Sequence, residues 1–371
     1  MQFIDLKAQY HHLKNRIDAR MQTVLDHGKF IMGPEVDELE EELSQYVGVK
    51  HTITCANGTD ALQLALMALN IGEGDAVFVP TFTFFASAEA ISFVGATPIF
   101  VDSDHSTFNI SPDHLETQIK NTIAEGKAFP KAIMAVDLFG LPADYPRLKR
   151  IADKYKLKII EDAAQGFGGS IDAKKCGAFG DIATTSFFPA KPLGCYGDGG
   201  AIFTDDDDIA ALIKSLRVHG KGSDKYDNVR IGMNSRLDTL QAAILLEKLS
   251  AFPNELIARG QLADEYTKAF RTINSLIAPV LPEGYQSSWA QYTLVSKSRD
   301  DYMTRLKDAG IPTVIYYGKC MHQQTAFENR EELGAIFTVA EQHSQQVFSL
   351  PMHPYMDKNT KKIIIDKIKE L

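Results

Sequence analysis

One lysine of the chain, Lys191, lies between two prolines and just before a run of glycines, in the segment TSFFPAKPLGCYGDGGAIF at residues 185–203. Pro189 and Pro192 restrict the backbone on both sides, whereas glycines allow a ligand or a neighbouring segment to come close. The segment alone is compatible with a tight surface turn between strands or with a rigid turn that holds a reactive amine. A lysine amine bonds covalently to a carbonyl group when its surroundings lower its pKa.

Two adjacent acids, Glu161 and Asp162, end a very apolar predicted strand in the segment IIEDAAQGFGG at residues 159–169. Consecutive side chains of a strand point to opposite faces of its sheet, and a buried carboxylate is costly unless it is paired. We therefore expect a buried cation beside whichever acid faces inward. The nitrogen of a pyridinium ring would serve, and so would a structural arginine.

A third segment, CANGTDAL at residues 55–62, leads from a predicted strand through Gly58 and Thr59 directly into a predicted helix. The free amides at a helix N-terminus can receive a phosphate group. An ordinary helix N-cap at Thr59 is the alternative, because threonine is common at that position.

A fourth segment, PTFTFFASAEAI at residues 80–91, has three clustered aromatic residues after another predicted strand. These residues either belong to the core or stack on a planar ring. Together the four segments would supply a phosphate site, a ring platform, a carboxylate and a lysine. Pyridoxal phosphate chemistry needs this set: an anchored phosphate, a stacked ring, a protonated ring nitrogen and a lysine that bonds to the cofactor.

The elements that must position these segments follow an alternating pattern. Between Thr52 and Glu161, short apolar strand patterns alternate with helical patterns, after two helical patterns at residues 6–25 and 35–46. This alternation predicts an α/β fold in which helices flank a mainly parallel central sheet. Sheets of this kind bind ligands beyond the carboxyl ends of their strands, where all four segments fall.

Beyond the lysine the pattern changes. Pro253 follows a helical pattern that suggests a long helix leading out of the large domain, and strand and helix patterns at residues 287–295 and 299–309 come later. We predict a large α/β domain over residues 1–250, with the N-terminal helices, and a smaller C-terminal α+β domain over residues 251–371.

Composition argues against several kinds of partner and site. The chain has 371 residues, 44% of them hydrophobic, and a net charge of −9, which does not favour nucleic acid or an anionic membrane as a partner. Its N-terminus does not resemble a signal peptide and no apolar run is long enough to span a bilayer, so we expect a cytoplasmic protein. The four scattered cysteines lack CxxC pairing and predict neither a metal site nor disulfides.

Five motifs carry a resemblance to a known family: GPEV at Gly33, ANGTDAL at Ala56, EDAAQ at Glu161, SFFPAKPLGCYGDGGA at Ser186 and NSRLD at Asn234. On these motifs the chain resembles the DegT/DnrJ/EryC1/StrS group of pyridoxal-phosphate-dependent nucleotide-sugar aminotransferases, which have fold type I. The resemblance implies that Lys191 bonds covalently to the cofactor and moves protons at the reacting carbon, while Asp162 keeps the ring nitrogen protonated. It also implies glutamate as the amino donor, with pyridoxamine phosphate as the intermediate form of the cofactor.

The resemblance assigns further cofactor contacts by motif. Gln165 matches a residue beside the phenolic oxygen of the ring, and Phe84 matches the stacking aromatic, with Phe82 as the competing choice. The residues that match the phosphate site are Gly58, Thr59 and Ser186.

Asn234 and Arg236 match a segment that, in this family, reaches into the active site of the partner subunit. There Asn234 would contact the phosphate and Arg236 the substrate, which implies a homodimer with shared active sites. From the residues alone, a helix N-cap for Asn234 and a surface ion pair for Arg236 are the alternatives.

Which sugar is aminated depends on details of the same resemblance. The GDGGA run ending at Ala201 resembles members that aminate C3 more than those that aminate C4, with the greatest likeness to members acting on a UDP-linked 2-acetamido-2-deoxy-3-oxo-glucuronate. Three expected sugar contacts depart from that pattern, because Phe30 stands for a tyrosine, Ala190 for a serine and Tyr316 for a histidine. A 3-keto N-acetylhexosamine with a less polar C6 and a 4-keto-6-deoxy sugar therefore stay open.

The resemblance further implies substrate contacts at Gly28 and Tyr317, and a pyrophosphate contact at His322. Some relatives of this fold carry a histidine in place of the lysine and dehydrate or deoxygenate the sugar, and others have lost catalysis and act as regulators. Lys191 favours an aminotransferase over both. Its product would serve the synthesis of lipopolysaccharide O-antigen or other surface glycans.

Overall fold

The computed structural model describes residues 1–224, 226–328 and 335–371 of the chain. Its strands are β1 (His51–Cys55), β2 (Asp75–Pro80), β3 (Thr97–Val101), β4 (Phe129–Val136), β5 (Lys158–Asp162), β6 (Ser170–Ile171), β7 (Lys174–Lys175), β8 (Ile182–Ser186), β9 (Gly200–Thr204), β10 (Tyr285–Gln286), β11 (Tyr292–Val295) and β12 (Val347–Leu350).

The α-helices are α1 (Leu6–His27), α2 (Pro34–Val47), α3 (Gly58–Ala68), α4 (Phe85–Phe93), α5 (Pro112–Glu125), α6 (Tyr145–Tyr155), α7 (Asp207–Leu216), α8 (Thr239–Phe270), α9 (Arg299–Asp308), α10 (Thr338–Gln346) and α11 (Lys358–Lys369). Within the described ranges, no helix is both long and apolar enough to cross a membrane.

Seven strands form the central sheet, in the order β1-β9-β8-β5-β4-β2-β3. Strands β3, β2, β4, β5 and β8 pair in parallel, whereas β9 runs antiparallel to both β8 and β1. The direction reverses at β9 because it pairs with the strand that precedes it, as in a hairpin, while strands joined through a helix stay parallel. The expected α/β fold with a mainly parallel central sheet is confirmed.

Helices cover both faces of this sheet, as β2 illustrates. Val77 and Val79 pack with α3 and α4 on one face, and Phe78 packs with α5 and α6 on the other. Because successive side chains of a strand alternate between two covered faces, both sets must be apolar. This double burial explains why the strands are continuously apolar in the sequence.

Helix α8 joins the two parts of the chain. It contains 32 residues and continues through Pro253. Its last turns contribute Leu262, Tyr266 and Phe270 to an apolar core that also includes residues of β11, β12, α9 and α11. The domain boundary that we predict after residue 250 therefore falls inside a continuous helix.

The strand pattern at residues 287–295 is shorter in the structure, where β11 begins at Tyr292. Trp289 instead has a left-handed backbone with φ of 49°. The N–H of Ser288 donates to the carbonyl of Gly140 at 2.9 Å, and its Oγ–H donates to the carbonyl of Gln165 at 2.6 Å. Contacts with the segments that follow β4 and β5 thus turn this segment towards the end of the central sheet.

Candidate active site

A cavity of about 490 Å³ lies where the carboxyl ends of β1, β2, β4, β5 and β8 meet. Ligand sites of open α/β sheets lie at this position. Predicted cofactor and substrate residues line the cavity: Gly58, Thr59, Phe84, Asp162, Gln165, Ser186, Ala190, Lys191, Tyr316 and Tyr317. The structure thus brings together residues that are far apart in the sequence.

Lys191 lies in the loop between β8 and β9, within a turn closed by its own N–H, which donates to the carbonyl of Phe188 at 2.9 Å. The same loop is anchored by Cys195, whose N–H donates to the carbonyl of Phe187 at 2.8 Å. Burial lowers the pKa of the Lys191 ammonium group, and the negative charge of Asp162 opposes this shift. A lowered pKa favours the neutral amine, which is the form able to attack a carbonyl or accept a proton.

Asp162 ends β5 and is buried in the cavity wall. Its Oδ2 accepts a hydrogen bond of 2.9 Å from the hydroxyl of Ser87, and its Oδ1 accepts one of 3.2 Å from the N–H of Ala164. Burial raises the pKa of this carboxyl group, while these two bonds and the charge of Lys191 oppose the shift. A cationic ring N–H in the cavity would stabilise the ionised form.

Glu161, the other acid of the pair, does not need the buried cation that we expected. Its carboxylate accepts backbone N–H bonds from Gly177 at 2.6 Å and from Phe179 at 2.7 Å. Burial and the nearby Asp137 raise the pKa of Glu161, and the backbone amides oppose this shift and satisfy the carboxylate oxygens. The expectation of a cation was wrong for this residue because a loop, distant in sequence, folds back over it.

The predicted phosphate site lies at the start of α3. The N-cap of this helix is Asn57, whose Oδ1 accepts from the N–H of Asp60 at 2.8 Å, so the alternative of an N-cap at Thr59 is wrong. A Cβ at Gly58 would lie 2.7 Å from the Cβ of Ser186, which is too close. Glycine therefore lets the helix start approach the end of β8, with Thr59 left to face the cavity.

The two candidate stacking aromatics differ in their surroundings. Phe84 is 53% exposed and lines the cavity. Phe82 is fully buried, with its ring 5.7 Å from that of His343 and 6.3 Å from that of Tyr317. The structure therefore supports Phe84, because its exposed side chain is available to a ligand.

Gln165 and Tyr317 are joined at the cavity. Nε2 of Gln165 donates to the Tyr317 hydroxyl oxygen at 3.1 Å, and its Oε1 accepts from the N–H of Phe139 at 2.8 Å. Both amide groups of Gln165 are thus engaged. Burial, together with the charge of Asp162, raises the pKa of Tyr317, which keeps its phenol neutral.

Four predicted residues, Gly28, Phe30, Asn234 and Arg236, are not in the lining of this cavity. The loop after α1 contacts the start of α8, because the carbonyl of Phe30 accepts from the N–H of Thr239 at 2.9 Å. The segment that contains Asn234 and Arg236 contacts the loop before α3 through Ser235, whose Oγ accepts from the N–H of Ala56 at 3.2 Å. These four residues do not complete the cavity of their own chain.

His322, the remaining predicted contact, also lies outside the cavity lining. Its Nδ1 is 2.7 Å from Oγ1 of Thr81, and its Nε2 is 3.0 Å from Oε1 of Glu341. Since both ring nitrogens are engaged, a pyrophosphate contact would require one of these bonds to be exchanged.

Sequence reasoning missed Ser87 and Gln291. Ser87 bonds to Asp162 across 75 residues, and its position in the first turn of α4, after a strand end, is a weak signal that could have found it. Gln291 also lines the cavity, but no local motif marks it.

The cavity fits pyridoxal phosphate. A buried carboxylate, a lysine with a lowered pKa, an exposed aromatic ring and a helix N-terminus surround one space, and each matches a part of the cofactor. This fold and this site define a pyridoxal-phosphate-dependent aminotransferase of fold type I.

The chain belongs to the DegT/DnrJ/EryC1/StrS aminotransferase family, which residues 11–369 match. It is 45% identical over 364 residues to the UDP-2-acetamido-2-deoxy-3-oxo-D-glucuronate aminotransferase of Pseudomonas aeruginosa, with 98% of both chains covered. The crystal structure of a DegT DnrJ EryC1 StrS aminotransferase from Brucella abortus is 50% identical, with a TM-score of 0.98 and coverage of 100% of this chain and 99% of that one.

A further structure bears on the cofactor. NtdA from Bacillus subtilis, crystallised with bound pyridoxamine phosphate, is 31% identical, with a TM-score of 0.92 and coverage of 100% of this chain and 84% of that one. The expected cofactor is confirmed, as is the expected class of enzyme.

Proposed function

We propose that this enzyme transfers an amino group from glutamate to the C3 keto group of a UDP-linked N-acetylated sugar or sugar acid. The observation that carries the chemistry is Lys191, with its lowered pKa, in one cavity with the buried Asp162. The choice of acceptor is supported by the 45% identity with a relative whose name states a UDP-linked 3-oxo sugar acid. The product is an amino sugar for lipopolysaccharide O-antigen or another surface glycan.

Lys191 moves the proton in both halves of this reaction. When bound, pyridoxal phosphate supplies an electron sink for the charge that develops as a carbon beside the amino nitrogen loses its proton. The neutral Nζ of Lys191 accepts that proton and then donates it to the carbon on the other side of the nitrogen. The lowered pKa of Lys191 makes the neutral amine available for this transfer. Asp162, oriented by Ser87 and Ala164, stabilises positive charge on the ring nitrogen.

The phosphate of the cofactor is held at the start of α3. Free N–H groups of the first helical turn, the Thr59 hydroxyl and the Ser186 hydroxyl face one end of the cavity. We assign Asn234 of the partner subunit to the same phosphate, and Arg236 of the partner subunit to the substrate, because in their own chain both lie outside the cavity.

A homodimer is part of the proposal. Apolar side chains are exposed beside the segment that contains Asn234 and Arg236: Phe30 is 46%, Ile31 48% and Ile231 89% exposed. A second copy of the chain would cover them, and a two-fold axis would place each copy's segment at the other's cavity.

Complementation between inactive variants tests the shared site. Lys191→Ala and Arg236→Ala are each expected to be inactive, but random mixing of their subunits would restore about a quarter of the wild-type activity, because half of the dimers gain one intact site. Mixing without recovery, while each variant remains dimeric in analytical ultracentrifugation, would contradict sharing.

The reaction is tested in two stages. Glutamate added to the cofactor-loaded protein is expected to shift the absorption band of the cofactor. An unchanged spectrum would contradict the proposed use of glutamate as the amino donor. The protein is then incubated with UDP-linked 3-keto and 4-keto sugars, both uronates and N-acetylhexosamines, and the aminated carbon is identified by NMR. Amination at C4 alone would overturn the proposed position.

A further inference from the structure

Ser288 connects the C-terminal part of the chain to the wall of the active site. It lies in the segment that precedes β11 and is fully buried, and its Oγ–H donates to the carbonyl of Gln165 at 2.6 Å. Its backbone N–H donates to the carbonyl of Gly140 at 2.9 Å. One serine therefore binds both the loop that follows β5 and the loop that follows β4.

The contact between Ser288 and Gly140 leaves no room for another side chain. A Cβ at Gly140 would lie 2.4 Å from the Oγ of Ser288 and 2.8 Å from the backbone nitrogen of Trp289. Gly140 also has a left-handed backbone with φ of 104°, which glycine adopts without strain. The close approach of this glycine lets the serine reach the carbonyl of Gln165.

The side-chain amide of Gln165 has a single orientation that satisfies its neighbours. The backbone N–H of Phe139, 2.8 Å away, is a donor and must face the Oε1 of this amide. The Nε2 therefore lies towards Tyr317 and donates to its hydroxyl oxygen at 3.1 Å. The carbonyl of Phe139 in turn accepts from the N–H of Gln291 at 3.3 Å, so the segment around Ser288 also holds the residue that orients the amide.

This order of donors and acceptors leaves hydrogens of Gln165 and Tyr317 available to a ligand. Nε2 carries two hydrogens and gives one of them to Tyr317. The hydroxyl of Tyr317 accepts that bond, and its own hydrogen has no acceptor among the described residues. Both residues line the active-site cavity. The pair can therefore donate a hydrogen bond to a molecule that fills the cavity.

The phenolic oxygen is the acceptor that the cofactor offers to this pair. The phosphate of pyridoxal phosphate fits the start of α3, and its ring nitrogen, which is a donor when protonated, fits Asp162. Its phenolic oxygen is the ring group that is left to accept a hydrogen bond, and Gln165 follows Asp162 by one turn of chain in the same cavity wall.

We propose that Ser288 is a positioning residue for the cofactor: it holds Gln165 so that the pair of Gln165 and Tyr317 donates a hydrogen bond to the phenolic oxygen of the ring. The proposal rests on the cofactor chemistry of the proposed function and not on the choice of acceptor sugar. Ser288 is not in the lining of the cavity, so it acts through Gln165.

A pH titration of the cofactor's absorption band measures this hydrogen bond. The nitrogen that joins Lys191 to the cofactor shares its proton with the phenolic oxygen while it is protonated. Once that proton is lost, the negative oxygen depends on the protein for a donor, so the donor lowers the pH at which the band changes. Gln165→Met removes a donor and should raise the midpoint by about one pH unit, and Ser288→Ala should raise it by about half a unit.

Ser287→Ala is the matched control, because the Oγ of this neighbouring serine accepts from the N–H of Trp289 at 3.0 Å and has no bond to Gln165 among the described residues. It should leave the midpoint unchanged. Urea unfolding first establishes that each variant is folded. Equal midpoints for Ser288→Ala and the wild type, or equal shifts in both serine variants, would overturn the proposal in favour of a role in packing.

A double variant tests whether Ser288 acts through Gln165. In the Gln165→Met protein, Ser288→Ala should cause little further shift of the midpoint, whereas a further shift of the full half unit would overturn the proposal. The response to glutamate separates this proposal from the proposed function. A wild type that binds the cofactor but does not respond to glutamate would contradict the proposed amino donor, while the midpoints of the variants would still decide the role of Ser288.

Discussion

The Nζ of Lys248 donates a hydrogen bond of 2.7 Å to the carbonyl oxygen of Gly194, three residues after Lys191 in the chain. Lys248 lies on α8, is fully buried, and holds its ammonium group 4.1 Å from the centre of the Tyr196 ring. Burial lowers its pKa to about 8, and the charge of Glu255 opposes this shift. The loop that carries Lys191 is therefore bound to α8 by a second lysine.

Replacing this second lysine should make the loop between β8 and β9 more mobile. Lys248→Met leaves the Gly194 carbonyl unpaired, which is expected to cost about 1–3 kcal/mol of stability. We expect a lower midpoint in urea unfolding and faster proteolysis within residues 187–199. Lys50→Met, at an exposed ion pair, is the control and should change neither. Equal unfolding midpoints for the Lys248 variant and the wild type would show that the bond does not support the loop.

Replacing Lys191 should abolish amination of the sugar without abolishing cofactor binding. Lys191→Ala is expected to retain the cofactor, because the phosphate and ring contacts remain, while its rate falls by at least about 10³-fold. Cofactor content is measured by absorbance after dialysis, and turnover by mass spectrometry of the aminated sugar. Retained amination in this variant would refute the role of Lys191.

The charge of Asp162 should contribute more to kcat than the hydrogen bond that orients its carboxylate. Asp162→Asn removes the charge that stabilises a protonated ring, and is expected to lower kcat by about 10²- to 10³-fold. Ser87→Ala removes one hydrogen bond to that carboxylate and should lower kcat by about tenfold. Steady-state kinetics with both variants at saturating cofactor provide the measurement. A larger effect at Ser87 than at Asp162 would be incompatible with the assigned roles.

Two glycine-to-alanine substitutions should differ in their effects, one weakening cofactor binding and the other increasing the stability of the fold. The added Cβ of Gly58→Ala meets Ser186 at 2.7 Å and should weaken cofactor binding by about tenfold or more. Gly260→Ala, within α8, meets no described atom within 4 Å and should stabilise the protein by about 1 kcal/mol. Cofactor titration and urea unfolding measure the two outcomes, and normal cofactor affinity in the Gly58 variant would exclude the close contact.

The buried carboxyl group of Asp137 should make the free energy of unfolding depend on pH. Its Oδ1 accepts from the N–H of Ala143 at 3.0 Å and from the Tyr145 hydroxyl at 2.8 Å, and burial raises its pKa to about 7. Because this pKa lies above that of an unfolded aspartate, the folded protein holds the proton more tightly. The resulting stability is present at low pH and is lost as the pH rises through about 7, by up to about 1.4 kcal/mol per unit.

Asp137→Asn keeps the shape of the protonated acid without its titration. Urea unfolding at about pH 5 and about pH 8 should show a smaller loss of stability in the variant than in the wild type. Parallel losses in both proteins would mean that other groups govern the pH dependence.

The parts of the site that sequence reasoning located share one property: Lys191, Asp162 and Gly58 each lie at the end of a strand or shortly after it, within a local pattern. Residues whose role depends on a contact across the fold were missed or misjudged. Ser87 and Gln291 come from elements far from their neighbours in the cavity, and the backbone partners of Glu161 belong to a loop after β7. Local patterns predict where a strand ends but not which distant side chain meets it.

In the fold, too, features that depend on local patterns were predicted, and those that depend on distant contacts were not. Alternating apolar patterns predicted the mainly parallel sheet, because double burial leaves a mark in every strand. The left-handed turn at Trp289 left no such mark, since it depends on the carbonyl groups of Gly140 and Gln165, which are distant in the chain.

The continuous helix α8 has a consequence for how relatives of this enzyme can exchange parts. Gln291, Tyr316 and Tyr317 come after the helix in the chain, whereas Thr59, Asp162 and Lys191 come before it. A genetic crossover within α8 would join two halves of one helix and keep its register. Such a chimera would keep the cofactor contacts of one parent and take the cavity residues after the helix from the other, so one part of the cavity wall can change by recombination at a single point.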